Sequence, residues 1–368
     1  MVKKTNIALL CGGVSSECGV SVNSSLNVIK YVDREKFNPY LVFVGEKYWY
    51  VLLYEGTNSY PLDLSAADVL NSIPKMNVNL FDKSIEDVKY ILEPKVLNQT
   101  NFSFSVAKEN SVVADKEIIL DKALVMIHGT PGENGLVQGY LELKGIPYFS
   151  CSSYVSAITF DKHSCKRFLD FAGVKMARDI FIRKEVAFSK REIIRQIGLP
   201  MFIKPTVGGS SFGVSKVKKE EEIDKAIEAA FEECPMILAE EAISGREFTC
   251  GLYSLNGNIV KLPVTEIVTK REFFDYEAKY LGESDEICPA PISLSLSTKI
   301  QNLSEHIYNY MGCSGIVRID YIVTPNEDIY FLEVNTIPGM TQMSLVPKML
   351  ATAKIDLKEL ISNFLESC

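Results

Sequence analysis

The stretch NIALLCGGVSSECGVSVNSSLNVIKYV (residues 6–32), with YLVFV at 40–44, constrains the fold more than any other part of the chain. Its first apolar run reads as a strand and Gly12-Gly13 as a tight turn. A helix beginning near Glu17 then returns the chain to a second strand. A strand, crossover helix and second strand in this order predict a parallel β-α-β unit, so the chain opens as an α/β domain. At 368 residues it has material for two or three domains.

The remaining segments extend this reading. Residues 45–120 are less regular, and polar stretches such as EPKVLNQTNFSF suggest hairpins or loops inserted into the first domain. A buried strand, ALVMI, then runs into the loop HGTPGENG, the helix LVQGYLELKG and the strand IPYFS, which places a boundary near residue 150. Helix-rich SYVSAITFDKHSCKRFLDFAG leads to PMFIKPTVGGSSFGVSKV, two short strands flanking a Gly/Ser loop in a small α+β unit. The acidic helix KEEEIDKAIEAAFEE precedes MILAEEAI, after which strands predominate until the closing helix DLKELISNFLES.

The net charge of −8 argues against a general nucleic-acid binder, because phosphate affinity comes chiefly from clustered lysine and arginine, so any phosphate site must be local. No run approaches the length of a membrane span, and the apolar run after MVKK is too short for a secretory signal. Nine cysteines scattered without a CxxC pair suggest reduced thiols and a cytoplasmic protein.

Three stretches carry candidate chemistry. In RIDYIVTPNEDIYFLEVN (318–335), alternation puts Arg318 and Asp320 on one face of a strand, and the turn TPNED brings Glu333 and Asn335 opposite them. Two carboxylates and an amide oxygen, without thiol or imidazole, suit magnesium completed by substrate phosphates; a solvated sheet face would show the same alternation. Lys204-Pro205-Thr206-Val207-Gly208-Gly209-Ser210-Ser211-Phe212-Gly213 has the backbone freedom, hydroxyls and cation of a phosphate-cradling loop, or of an ordinary flexible turn. It is not the Walker sequence. Near Glu17 a helix N-terminus could meet an anion, or the carboxylate a substrate ammonium, though a capped helix reads the same way. His128 could contact an acid or pack within its loop; His163 and His306 lack metal-ligand spacing and read as structural.

GGVSSE, HGTPGENG, SAITFDK, FIKPTVGGSSFGVSKV, FFDYEAKY, GCSGIVRIDYIV and FLEVNTIPGMTQMSLVP follow one another as in the D-alanine–D-alanine ligases of the ATP-grasp superfamily, which this chain resembles over nearly its whole length. The resemblance implies a mixed α/β and α+β ATP-grasp fold in three domains. These are a Rossmann-like parallel-sheet domain (1–150), a central subdomain (151–239) and a C-terminal metal-binding subdomain (240–368). It implies ATP-dependent, ADP-forming ligation of two D-alanines through a D-alanyl phosphate, for peptidoglycan synthesis, with two magnesium ions for which manganese can substitute. A cytoplasmic homodimer joined through the first domain, with no nucleic-acid or membrane partner, is also expected.

By the same resemblance, Lys162 and Lys204 match lysines that hold ATP phosphates, helped by Gly209 and Ser211 of the Gly/Ser loop. Glu240, Glu241, Ile243 and Glu247 match the adenosine site, and Asp320, Glu333 and Asn335 match metal ligands. Arg318 and the Gly339 N–H match the oxyanion donors. Glu17 and His128 match contacts of the first D-alanine. Ser210 and Tyr280 close a network with Glu17; Lys279, Ser344 and Leu345 match further substrate contacts. The segment around 268–288 would be a lid.

Cys18-Gly19, Asn134 and Gln342-Met343 depart from the family's usual residues, all beside the two amino-acid pockets. A ligase with another acceptor, such as D-serine, and a non-catalytic ATP-binding regulator are the alternatives. A nicotinamide oxidoreductase is disfavoured by the absence of GxGxxG after the first strand.

Overall fold

A computed structural model describes residues 3–54, 60–73, 92–106, 116–209, 212–269 and 284–368. The opening unit forms as expected, with β1 (Thr5–Gly12), α1 (Cys18–Val28) and β2 (Phe37–Val44), β1 and β2 lying parallel. β3 (Trp49–Tyr54), α2 (Ala66–Ser72), β4 (Leu92–Val96), β5 (Ser103–Val106), β6 (Lys116–Ile119), β7 (Lys122–Val125), α3 (Leu136–Lys144) and β8 (Tyr148–Phe149) complete this half. The first sheet runs β4-β3-β2-β1-β7-β8. The hairpins expected in 45–120 do form, but β3 and β4 extend the main sheet antiparallel instead of standing apart. Gly45 N–H bonds Tyr48 O, and a turn this short cannot make a parallel crossover. β5 and β6 pair separately.

β1 lies between β2 on one side and β7 on the other, both parallel to it. In open α/β sheets this reversal opens a crevice beyond the carboxyl ends of the strands. The loops that follow β1 and β7, which carry Glu17 and His128, emerge there.

The second half begins with α4 (Ser153–Phe160) and α5 (Lys162–Asp170). Asp161 ends one helix and caps the next by accepting from Ser164 N–H at 2.7 Å, and this fixes Lys162 at the first turn of α5. β9 (Asp179–Arg183), α6 (Lys190–Ile197), β10 (Met201–Pro205), β11 (Ser215–Val217), α7 (Ile223–Glu233) and β12 (Met236–Glu241) build an antiparallel sheet in the order β11-β10-β12-β9. Met201 and Ile203 pack under α6 and α7 with Ile193, Ile227 and Ala239. Strand alternation turns Phe202 and Lys204 to the opposite face.

The third sheet contains β13 (Arg246–Leu255), β14 (Asn258–Lys261), β15 (Thr265–Thr269) and β16 (Ser284–Ile287). The chain then forms α8 (Leu294–Met311) and returns as β17 (Ile316–Val323) and β18 (Ile329–Asn335). Val317, Ile319 and Tyr321 pack against Ile300, Ile307 and Tyr308 of α8, leaving Arg318 and Asp320 on the other face. The 18-residue α8 and a second helix, α9 (Leu345–Thr352), interrupt the strand-dominated C-terminal stretch expected before α10 (Leu357–Ser367).

The β17–β18 hairpin pairs as expected, with Asp320 opposite Glu333 and Arg318 opposite Asn335, but its register shifts between Asp320 and Tyr321. The shift decides which side chains share a face. Phe331 and Glu333, two residues apart, would share a face in a regular strand; the bulge lets Phe331 enter the core while Glu333 stays opposite Asp320.

Both ends of the chain contribute to one core, in which Ile7, Leu9 and Leu41 pack with Val346, Met349, Leu360 and Phe364. Phe364, 1% exposed, stacks on Phe149 of β8 at 3.8 Å between centroids and meets Tyr253 of β13 edge-on at 5.6 Å. One ring thereby joins the first sheet to the third. Phe364→Ala is expected to cost about 3–5 kcal/mol. Urea unfolding measures this, and a loss under about 1 kcal/mol would show that the contact is not the joint described here.

Candidate active site

The three sheets surround a cleft of about 730 Å³. Every described residue to which the resemblance gives a site role, from Glu17 to Leu345, lines it; Cys18, Gly19 and Asn134 do not. Ser210, Ser211, Lys279 and Tyr280, with most of the expected lid, lie outside the described residues.

Cations and carboxylates pair across the cleft. On β17, Arg318 grips Asp320 with two bonds, Nε to Oδ1 at 2.9 Å and NH2 to Oδ2 at 2.8 Å. Thr249 Oγ1 donates to Asp320 Oδ1 at 2.6 Å and Asn335 Nδ2 to Oδ2 at 3.1 Å. Asp320 is therefore buried and oriented by three neighbours. Lys162 Nζ donates to Gly208 O at 2.9 Å and lies 3.9 Å from Glu333 Oε2, which links the Gly/Ser loop to the carboxylate hairpin. Gly209 lies against Glu17, and a Cβ there would run into that carboxylate.

Glu240 stands opposite Phe202 in the β10–β12 register and is ion-paired to Lys204 beside it. Its other oxygen, Oε1, accepts from Lys166 Nζ at 2.5 Å; Lys166 also reaches Asp179 Oδ2 at 2.7 Å and Ala177 O at 2.8 Å. Burial alone would raise the Glu240 pKa, but Lys204 and Lys166 outweigh it and hold the carboxyl below its ordinary value of 4.5. Lys166 was missed in the sequence. The signal was a lysine on the apolar stripe of α5, beside Cys165 and one turn before Leu169, where a solvent-seeking side chain would not be placed.

Glu241 gives its carboxylate to Arg178, which donates through Nε at 2.9 Å and NH2 at 3.1 Å. Glu241 also lines the cleft, with its carboxylate held by Arg178. His128 is buried in its loop: Nε2 meets Ser24 Oγ at 3.1 Å and the ring also bonds the Ile337 backbone. Burial lowers its pKa more than the neighbouring Glu17 raises it. Beside it Glu133 accepts from Gly129 N–H at 3.0 Å, and burial, then the carboxylate of Glu17, push its pKa up to about 8. Ser344 Oγ accepts from Thr341 N–H at 3.1 Å and lies so close to Gly339 that a Cβ there would sit 2.8 Å away. Leu345 is 6% exposed between cleft and core. His163 stacks on Phe181 and His306 bonds Ala172 O, so both are structural.

Among the described residues no group of three or more His, Cys, Asp or Glu could hold a metal unaided. Asp320 and Glu333 in register, with the Asn335 amide, form the sparse oxygen set that magnesium takes when phosphates complete its shell, so the residues fit that ion.

A lysine-bearing antiparallel sheet and a carboxylate hairpin facing each other across a cleft, with a parallel-sheet unit beyond, define an ATP-grasp fold. The model of the D-ala D-ala ligase N-terminus matches residues 6–151 and that of its C-terminus residues 168–366. The D-alanine–D-alanine ligase of Phocaeicola vulgatus is 39% identical over 364 residues, covering 99% of each chain. Two solved structures superpose with a TM-score of 0.78. They are the VanG D-Ala:D-Ser ligase of Enterococcus faecalis (30% identical, 99% of each chain) and D-alanyl-alanine synthetase A of Vibrio cholerae (27% identical, covering 100% of this chain and 99% of that one). The chain belongs to the D-alanine–D-alanine ligase family, whose members use ATP and magnesium.

The Glu240 network has a stability consequence whose sign follows from the lowered pKa. The unfolded chain binds the Glu240 proton more tightly than the folded one. The contribution is therefore whole above 4.5 and is lost as pH falls through the lower folded value. Lys166→Met leaves the Glu240 and Asp179 carboxylates without that partner and is expected to cost about 3–5 kcal/mol at neutral pH. The loss should shrink in acid as the Glu240 carboxyl protonates. Urea unfolding across pH tests this, and a loss that does not change with pH would refute the assignment.

Proposed function

We propose that this chain joins two D-alanines to D-alanyl-D-alanine at the expense of ATP, the dipeptide step of peptidoglycan precursor synthesis. The observation that carries the reading is the convergence of Lys162, Lys204, Glu17, Arg318 and the Asp320–Glu333–Asn335 set on one cleft.

A carboxylate resists attack by an amine, so the first D-alanine must be activated. Glu17 holds its ammonium, and the carboxylate oxygen takes the γ-phosphoryl group of ATP to give D-alanyl phosphate and ADP. Lys204 and Lys162 neutralise the phosphates, and the Gly208–Gly209 backbone approaches them closely because it carries no side chains. Glu240, Glu241, Ile243 and Glu247 hold the adenosine. Asp320, Glu333 and Asn335 would hold two magnesium ions, which offset charge on the transferring phosphoryl group. The amine of the second D-alanine attacks the acyl carbon. The tetrahedral oxyanion accepts hydrogen bonds from Arg318 and the Gly339 N–H, and its collapse expels phosphate. Ser344 and Leu345 bound the second pocket, and His128 closes the wall of the first. By the resemblance, Ser210 and Tyr280 would close a network with Glu17, Ser211 would meet ATP and Lys279 the substrate.

We read the division at 1–150, 151–239 and 240–368 as three functional units and the protein as a cytoplasmic homodimer. Among the described residues no helix is long and apolar enough to cross a membrane.

Phosphate release from ATP with a panel of D-amino and D-hydroxy acids, with products identified by mass, tests the reaction; turnover without D-alanyl-D-alanine would reject it. Arg318→Ala is expected to lower kcat about 10²- to 10³-fold in a folded protein. Near-normal turnover would remove it from the oxyanion site. D-Serine is expected to be a poor but detectable acceptor, disfavoured about 10²-fold, because its hydroxyl would meet the buried Leu345 side chain. Equal use of D-serine and D-alanine would shift the reading towards the acceptor in the VanG enzyme's name.

A further inference from the structure

The Ile337–Met340 loop carries the Gly339 N–H, yet its backbone is held largely from outside the third sheet. Met340 N–H donates to Ser24 Oγ at 3.2 Å, and Met340 O accepts from Asn27 Nδ2 at 2.7 Å. Both side chains come from α1, more than 300 residues earlier, and both are buried, Ser24 at 0% and Asn27 at 7% exposure. His128, from the loop after β7, meets Ser24 Oγ at 3.1 Å and bonds the Ile337 backbone. Ser24 Oγ thus accepts from Met340 N–H and also shares a hydrogen bond with His128 Nε2, in the direction the imidazole tautomer sets. On its far side the loop is pinned by Ser344, whose Oγ occupies the space a Gly339 side chain would need. Polar groups on the buried face of a helix are costly unless they are bonded, and here the bonds end on the two peptide atoms of the residue following Gly339.

We infer that Ser24 and Asn27 are positioning residues for acyl transfer: anchored in the first sheet's helix, they aim the Gly339 N–H at the oxyanion. The inference rests on the ligase reading above and deepens it. An oxyanion donor works only when preorganised, and a displacement of about 1 Å can cost about 10²-fold in rate. The braces act on the step in which the amine nitrogen bonds to the acyl carbon. That carbonyl π pair becomes the oxyanion lone pair; its return re-forms the carbonyl as phosphate departs with the C–O bonding pair and takes up the proton the amine loses. Neither brace is among the residues assigned above to the ATP phosphates or the adenosine.

The test compares two readouts in the intact enzyme, dipeptide release and D-alanine-dependent scrambling of the labelled β–γ bridge oxygen of ATP, which reports reversible acyl phosphate formation. Ser24→Ala and Asn27→Leu are expected to lower dipeptide kcat about 10- to 10²-fold, with KM for ATP within about twofold, so that the ratio of scrambling to release rises. Ser24→Thr, which keeps the hydroxyl, should restore most of the ratio. Parallel loss of both activities, or an unchanged kcat in both folded variants, would overturn the inference. If Ser24→Ala does not fold, Asn27→Leu decides alone. Wild type that scrambles ATP but makes no dipeptide would count instead against the ligase reading.

Discussion

The buried ammonium of Lys166 organises the nucleotide side of the cleft. A charge 3% exposed must be matched by bonded partners, and here one nitrogen gathers Asp179 from β9, Glu240 from β12 and the Ala177 carbonyl. That requirement holds α5 against the second sheet, and it orients Glu240 so that its other oxygen faces Lys204. Lys162 begins the same helix, so its reach to Gly208 and Glu333 is set by the same anchor. A substitution of Lys166 would move three candidate ligand-binding residues without touching any ligand.

Charge within the cleft is balanced in pairs: Arg318 with Asp320, Lys204 with Glu240, Lys162 near Glu333. Such pairing lets a protein of net charge −8 place three cations beside one another at a phosphate site. Under the proposed function, phosphate oxygens would take the lysines, and Asp320 and Glu333 would turn to the metal. Asp320 would keep Thr249 and Asn335 as neighbours in that exchange. The Arg318 guanidinium, released from its bidentate grip, would stay on the same strand face.

Much of the site was legible because strand alternation is a local rule. Arg318 with Asp320, Phe202 with Lys204, and the antiparallel return through Thr324–Asp328 all follow from a period of two and turn chemistry. Motif order then gave the roles. Alternation failed at the β18 bulge, since no local preference marks where a strand takes up an extra residue; the need to bury Phe331 and Val334 while Glu333 faces Asp320 decides it. The missed residues, Lys166, Ser24 and Asn27, are polar side chains on buried helix faces, and their partners are remote in sequence.

The sequence by itself determined many of the elements, the parallel opening unit and the composition of the cleft, because these follow from hydrophobic periodicity, turn residues and side-chain chemistry acting over a few positions. Only the tertiary structure decided that the C-terminal helices share a core with β1, that α1 side chains bond the backbone beside Gly339, and that Arg178 takes the Glu241 carboxylate. The physical reason is the same in each case. A buried polar group or aromatic ring must find a partner, and which partner is available depends on how distant segments pack.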